Sequence, residues 1–261
     1  MPELNDHTIN KVPLQINFTG PDGKSQSNEA SFKMLLCNKA AKPPTIDGDL
    51  ADWPAGSGVK LDGLLKDYAV PPALQAQYPQ PQKWNGPEDL SATLYTAWGK
   101  EYFYLALDIT DDVFCPTKPG VAYIWEYDSV QIYFDTAFDA RNLNSKGYDS
   151  TDYCYNACYR GGKMEVTRNQ VPDWQLCFFK TGPAPEVKAA FKKTYKGYIY
   201  EFAFPASELV PMRLEKNRAI GFAVLINEND NDYHKRGISL TAPGREPYQN
   251  PTAWPAMLLV E

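Results

Sequence analysis

Trp125-Glu126-Tyr127-Asp128-Ser129-Val130-Gln131-Ile132-Tyr133-Phe134-Asp135 is the stretch that decides the fold. Side chains of an extended chain alternate between two faces, so Val130, Ile132 and Phe134 share one side while Gln131, Tyr133 and Asp135 share the other. One side is apolar enough for a core; the other is polar and aromatic. Asp128 has the parity of the core side. A carboxylate there must accept backbone N–H groups at a strand end, bind a cation or meet a base.

The same alternation continues in both directions. Upstream, residues 92–98 and a return strand with Phe103, Leu105, Leu107 and Ile109 inward flank the turn Gly99-Lys100-Glu101. Downstream, strands are predicted at 152–160, 163–168, 186–195, 198–204, 219–227 and 254–260, with tight turns at Gly161-Gly162 and Lys196-Gly197. Only Pro205-Ala206-Ser207-Glu208-Leu209 reads as a helical turn. Many short strands separated by turns predict an all-β fold: an antiparallel β-sandwich, jelly-roll-like, with almost no helix. Residues 54–90 lack periodicity and are heavy in proline, so they predict one long loop. Near the start, Val12, Leu14, Ile16 and Phe18 alternate, Gly20-Pro21-Asp22-Gly23 turns the chain, and Phe32, Met34 and Leu36 return on one face. Residues 1–38 thus form a β-hairpin added to the sandwich, or the remnant of an upstream domain, and residues 39–261 form the main body.

Composition excludes several functions. A formal net charge of −6 disfavours nucleic acid and anionic membrane surfaces as partners, because both need a basic face. No apolar run approaches the roughly 20 residues that span a bilayer. Met1-Pro2-Glu3-Leu4 has neither the basic nor the apolar region of a signal peptide. Cys37, Cys115, Cys154, Cys158 and Cys177 show no paired metal-binding spacing, so they read as small buried hydrophobes. Cross-strand pairing of Cys177 with Cys154 or Cys158 stays open.

The polar face of the opening strand suits a saccharide. Sugars present CH-rich faces that pack on aromatic rings and hydroxyls that need both donors and acceptors, which Trp, Tyr, Gln and Asn supply. Asp111-Asp112, at the end of a neighbouring strand, can join Asp128 in offering oxygen ligands to Ca²⁺. Turn-forming Asp residues fit the same positions. Glu126-x-Asp128-x-x-Gln131 resembles the E-x-D-x-x-E strand of laminarinase-type β-glucanases, but Gln131 stands where retaining hydrolysis requires a carboxyl. His7 and His234 are the only histidines, and neither lies near a Gly-x-Ser-x-Gly turn. Catalysis is disfavoured, and a haem site built on His234 and a methionine is the weakest alternative.

Ile46-Asp47-Gly48-Asp49-Leu50-Ala51-Asp52-Trp53 is similar to the opening of family 9 carbohydrate-binding modules. The hairpin Leu94–Asp112, the stretch Trp125–Asp135, Gly221-Phe222-Ala223-Val224-Leu225-Ile226-Asn227 and Trp254-Pro255-Ala256-Met257-Leu258-Leu259-Val260 follow in that family's order, over residues 43–261. The resemblance implies a sandwich with bound Ca²⁺ and a site for the end of a poly- or oligosaccharide. It places Trp125 and Tyr248 on opposite faces of the terminal sugar, with Gln131, Tyr155 and Asn227 lining the pocket. Tyr155 and Ala157 occupy positions where relatives carry Arg and Asn, with Asn156 on the opposite face. A structural or interaction domain that has lost the sugar site is the second reading. The resemblance further implies a secreted or cell-surface protein, here without its signal peptide, with a catalytic or surface domain attached in the parent chain.

Overall fold

The computed structural model describes residues 10–61, 65–67, 84, 86–140, 147–172, 179–230, 236–240 and 247–261. Their strands are β1 (Asn10–Thr19), β2 (Ser25–Lys39), β3 (Val59–Lys60), β4 (Leu65–Asp67), β5 (Leu90–Trp98), β6 (Tyr102–Asp111), β7 (Ser129–Asp135) and β8 (Asp152–Arg160). Then come β9 (Lys163–Gln170), β10 (Gly182–Pro183), β11 (Lys188–Lys193), β12 (Gly197–Pro205), β13 (Ala219–Glu228), β14 (Arg236–Ser239) and β15 (Ala256–Val260). Short 3-10 turns are the helical elements among the described residues. The fold is an all-β sandwich.

Hydrogen bonds connect the strands in the order β10-β9-β8-β7-β13-β15-β2-β5-β6-β12-β11. The path curls so that β7, β8 and β13 pack against β5, β6 and β12. Phe134 of β7 meets the edges of Phe103 of β6 and Phe204 of β12, with ring centroids 5.4 and 5.3 Å apart. Phe222 of β13 completes the group, 5.4 Å from Phe134. Such edge-to-face contacts add to the burial of large apolar area. Phe103, Leu105, Leu107 and Ile109 point into this core, as their spacing predicts.

Three features differ from the sequence expectation. The sandwich is not wholly antiparallel: β2 runs parallel to both β15 (Met257 beside Leu35, Leu259 beside Cys37) and β5. Those neighbours are far apart in sequence, and local turn signals do not reach them. The expected boundary at residue 38 falls inside β2. Among the described residues its first half pairs only with β1, whereas Met34–Lys39 lies between β15 and β5 as an inner strand, with Leu35 and Cys37 in the core. The 54–90 stretch also contains order. β3 pairs with β5, β4 pairs with β14, and Trp84 donates its indole N–H to Leu90 O at 2.9 Å. Residues 68–83 of that stretch, together with His7, Cys177 and His234, lie outside the described residues. Cys37, Cys115, Cys154 and Cys158 are free and buried.

β7 is buried along its whole length, and β8 is buried on both faces from Asp152 to Cys158. One side of these strands faces the main core, and the other is covered by a second layer. The outer face of β12 is covered similarly. Ile46–Trp53 lies across it, and its fixed point is Glu201, which is fully buried. Glu201 accepts from Trp53 Nε1 at 2.7 Å, from Asp47 N at 3.0 Å and from Gly48 N at 2.6 Å. Gly48 has φ +81°, and a Cβ there would meet Lys192 Cβ at 2.6 Å, so only glycine fits. Asp49 accepts from Ala51 N and pairs with Lys192, while Asp52 accepts from Thr45 N. The motif is a strap pinned to a buried carboxylate.

Candidate functional site

The outer face of β7 carries Ser129, Gln131, Tyr133 and Asp135. Antiparallel partners point to the same side of a sheet, so the register decides what stands beside them. Gln131 is opposite Asn156 of β8 and Leu225 of β13; Ser129 is opposite Cys158 and Asn227. Gln131 Nε2 donates to Asn156 Oδ1 at 3.2 Å. That bond uses one donor and one acceptor. Whichever way the two amides are oriented, the pair retains a further acceptor and further N–H donors, with no other side-chain partner for Gln131 among the described residues. Both amides lie low in the surface, 4% and 7% exposed.

An aromatic turn stands at each end of this floor. At the Ser129 end, the 3-10 turn Ile124–Glu126 carries Trp125, which is half-buried with its ring 5.1 Å from that of Tyr123. The turn is held in place because Ser129 Oγ donates to Ile124 O at 2.8 Å and accepts from Asn227 Nδ2 at 3.2 Å. At the Tyr133 end, Trp254 lies on the Tyr133 ring at 5.3 Å and donates its indole N–H to Pro247 O at 2.9 Å. That bond anchors the turn bearing Tyr248, which is 44% exposed and meets Tyr148 edge-on at 6.1 Å. Along β7, Ser129 and Tyr133 are separated by about 13 Å of strand. Gln131 sits midway between them.

Tyr155 is not part of this surface. Its ring is in the main core, stacked on Tyr153 at 5.6 Å, and its hydroxyl donates to Glu208 O and Oε2 at 2.8 and 2.9 Å. Arg168 pairs with the same Glu208 carboxylate through two nitrogens, closing a buried network at the core side. Asn156, not Tyr155, shares the face of Gln131. The sequence reading inverted the phase of β8 because both faces of that strand are buried, so polarity does not reveal which residues point inward. Asn227 belongs to the site as a brace of the Trp125 turn.

Asp128 takes the first of its three expected options. Fully buried, it accepts from Cys115 N and from Asn229 N, the latter at 3.0 Å. Burial and the neighbouring Asp111 carboxylate push its pKa well above the usual range. With its lone pairs on backbone N–H groups, Asp128 lies outside the two groups of carboxylates spaced for a metal ion. One comprises Asp111, Glu228 and Asp230; the other comprises Asp89, Asp112 and Asp230, with ligand atoms within 4.8 Å of one another in each. Asp111 Oδ2 is buried and has no hydrogen-bond partner, while burial raises that carboxyl to about 6. Hard carboxylate oxygens at this spacing fit Ca²⁺ chemistry. Glu228 and Asp230 were missed in the sequence, although the alternating run Asn227-Glu228-Asn229-Asp230-Asn231-Asp232 carries a visible signal.

Residues 62–261 match the family described as carbohydrate family 9 binding domain-like. The chain belongs to this family. Its members are non-catalytic carbohydrate-binding modules. Among solved structures, a family 9 carbohydrate-binding module from Caldicellulosiruptor kristjanssonii in complex with cellotriose is similar at 17% identity and TM-score 0.56, over 87% of this chain and 94% of that one. The complex of such a module from the same organism with glucose gives 17% identity and TM-score 0.57, over 87% and 95%. At this identity the likeness concerns the fold. No curated protein matches the chain. The family 9 match begins after the Ile46–Trp53 strap, which therefore stands outside the matched residues although it packs on the shared sandwich.

Proposed function

We propose that the protein binds the terminal sugar of a poly- or oligosaccharide on the outer face of β7, without catalysing its conversion. Trp125 and Tyr248 stack on the two faces of the ring, and the Gln131–Asn156 pair exchanges hydrogen bonds with its hydroxyls. The carrying observation is a single one: an amide pair with unused donors and acceptors lies between two aromatic turns, each anchored to the same strand. Family membership and the saccharides named for the similar modules support this choice of ligand. Gln131 can act neither as nucleophile nor as acid, which favours binding alone. Ca²⁺ belongs to the proposal as a structural ion held by Asp111, Glu228 and Asp230, stabilising the end of β13. A secreted or cell-surface role, tethering an attached catalytic or surface domain to polysaccharide, is the setting that fits such a module.

Calorimetry with glucose, cellotriose and other soluble oligosaccharides tests the proposal. Binding is expected at roughly millimolar sugar or below, and Trp125→Ala should abolish it. No heat with any saccharide, or equal heats for parent and variant, refutes the site. A structural domain without a ligand is the second reading. It is favoured by the depth of Gln131 and Asn156, and a chain that folds normally yet binds no glycan supports it.

A further inference from the structure

The carboxylate group and the Trp125 turn are joined by one short segment. Glu228 ends β13, Asp230 follows two residues later, and both have oxygens in the same group as Asp111. Asn229 lies between them and points the other way. Its backbone N–H donates to Asp128 Oδ1 at 3.0 Å, and its side-chain Nδ2 donates to Glu126 O. Glu126 is the last residue of the 3-10 turn that presents Trp125. On the other side of Glu228, Asn227 reaches the start of that turn through Ser129. Asp128 is tied in turn to Cys115: its carboxylate accepts from Cys115 N, and its own backbone N–H donates to Cys115 O. The turn thus hangs on Asn227 and Asn229, which bracket one carboxylate of the group and adjoin another. The buried Asp111 Oδ2, which lacks a hydrogen-bond partner, is a second sign that the group accommodates a ligand.

We infer that a divalent cation bound by Asp111, Glu228 and Asp230 fixes the turn that carries Trp125. With the cation bound, Glu228 and Asp230 are held together and the Asn229 side chain is held on Glu126 O. Without it, four acidic side chains (Asp111, Asp128, Glu228 and Asp230) crowd the end of β13 and loosen the same segment. Cation binding and ligand binding are then linked, and each strengthens the other by the same factor. As a control on saccharide binding, this rests on the function proposed above.

Ca²⁺ alone, titrated into the chelator-treated chain and followed by tryptophan fluorescence, reads the link without any sugar. The parent should show a saturable change, most of which disappears in Trp125→Phe. The Asn229→Ala variant should bind Ca²⁺ by calorimetry yet lose the Trp125 signal. Should that variant not fold, Asn227→Ala reads the same link through Ser129. Cellotriose affinity should fall roughly tenfold when Ca²⁺ is removed. Absence of Ca²⁺ binding, an identical signal in Trp125→Phe, or an undiminished signal in Asn229→Ala overturns the inference. Cellotriose binding that chelation leaves unchanged overturns the link while leaving the sugar site intact. A Ca²⁺-dependent Trp125 signal with no saccharide bound under any condition supports the link and refutes the sugar site.

Discussion

The outer faces of the two sheets each bury polar side chains beneath aromatic segments, but they satisfy those groups differently. On β12, Glu201 receives three N–H groups from the Ile46–Trp53 strap, so the chain itself saturates the carboxylate. On β7, Gln131 and Asn156 make one bond to each other and keep hydrogen-bonding capacity in reserve. Trp53 is 6% exposed with its N–H committed, whereas Tyr248 is 44% exposed at the tip of its turn. The first face is closed by its own sequence. The second has the groups and the rings that an external molecule needs. A buried polar group thus indicates structure or recognition according to whether its partners are already present.

The largest separation of the two faces is expected from Glu201→Leu. Three N–H donors would lose their acceptor, lowering stability by about 3 kcal/mol or more in urea unfolding while leaving saccharide affinity intact. Trp125→Ala should do the reverse: affinity falls by about 2 kcal/mol or more, and the unfolding midpoint moves little. Equal losses of stability in both variants would erase the distinction between the faces.

A finer test compares adjacent residues on β8. Asn156→Ala should weaken cellotriose binding by about 1 kcal/mol, the net value of a hydrogen bond. Tyr155→Phe should reduce stability by a similar ~1 kcal/mol, through the lost bonds to Glu208, without touching affinity. The opposite pattern would show that the phase of β8 is inverted.

A pH test concerns Asp152, at the far end of the same strand. Burial raises its carboxyl from 3.8 to about 8. The folded state therefore holds this proton more tightly than the unfolded state does. Its contribution to stability is complete below pH 3.8 and is lost as pH rises towards about 8. Urea midpoints of the parent should decline across that window more steeply than those of Asp152→Asn; parallel slopes would remove the effect.

Much of this fold was legible because the central strands alternate. The inward residues of β6 and the two faces of β7 follow from spacing alone. The strand order was not legible, since β15 meets β2 across most of the chain and β2 meets β5 across the long stretch between them. Tyr155 and Asn156 mark the corresponding limit at the site. In Tyr153-Cys154-Tyr155-Asn156-Ala157-Cys158 both faces are buried, and the irregularity between Cys154 and Tyr155 shifts the register with β9. Only the pairing of Gln131 with Asn156 fixes which residues look outward. Trp125 and Gln131 could be selected from the sequence because they belong to one contiguous stretch. Asp111 could be selected as well, but its grouping with Glu228 and Asp230 could not, because it joins residues across more than half of the sandwich sequence.

Six tryptophans give the protein six indole N–H probes, and two of them mark the contrasted faces. Following these signals by NMR during a cellotriose titration tests the location of binding directly. The Trp125 signal should shift progressively and saturate, while that of Trp53, committed to Glu201, should stay in place. A saturable shift of Trp53 with Trp125 unmoved would contradict saccharide binding on the β7 face.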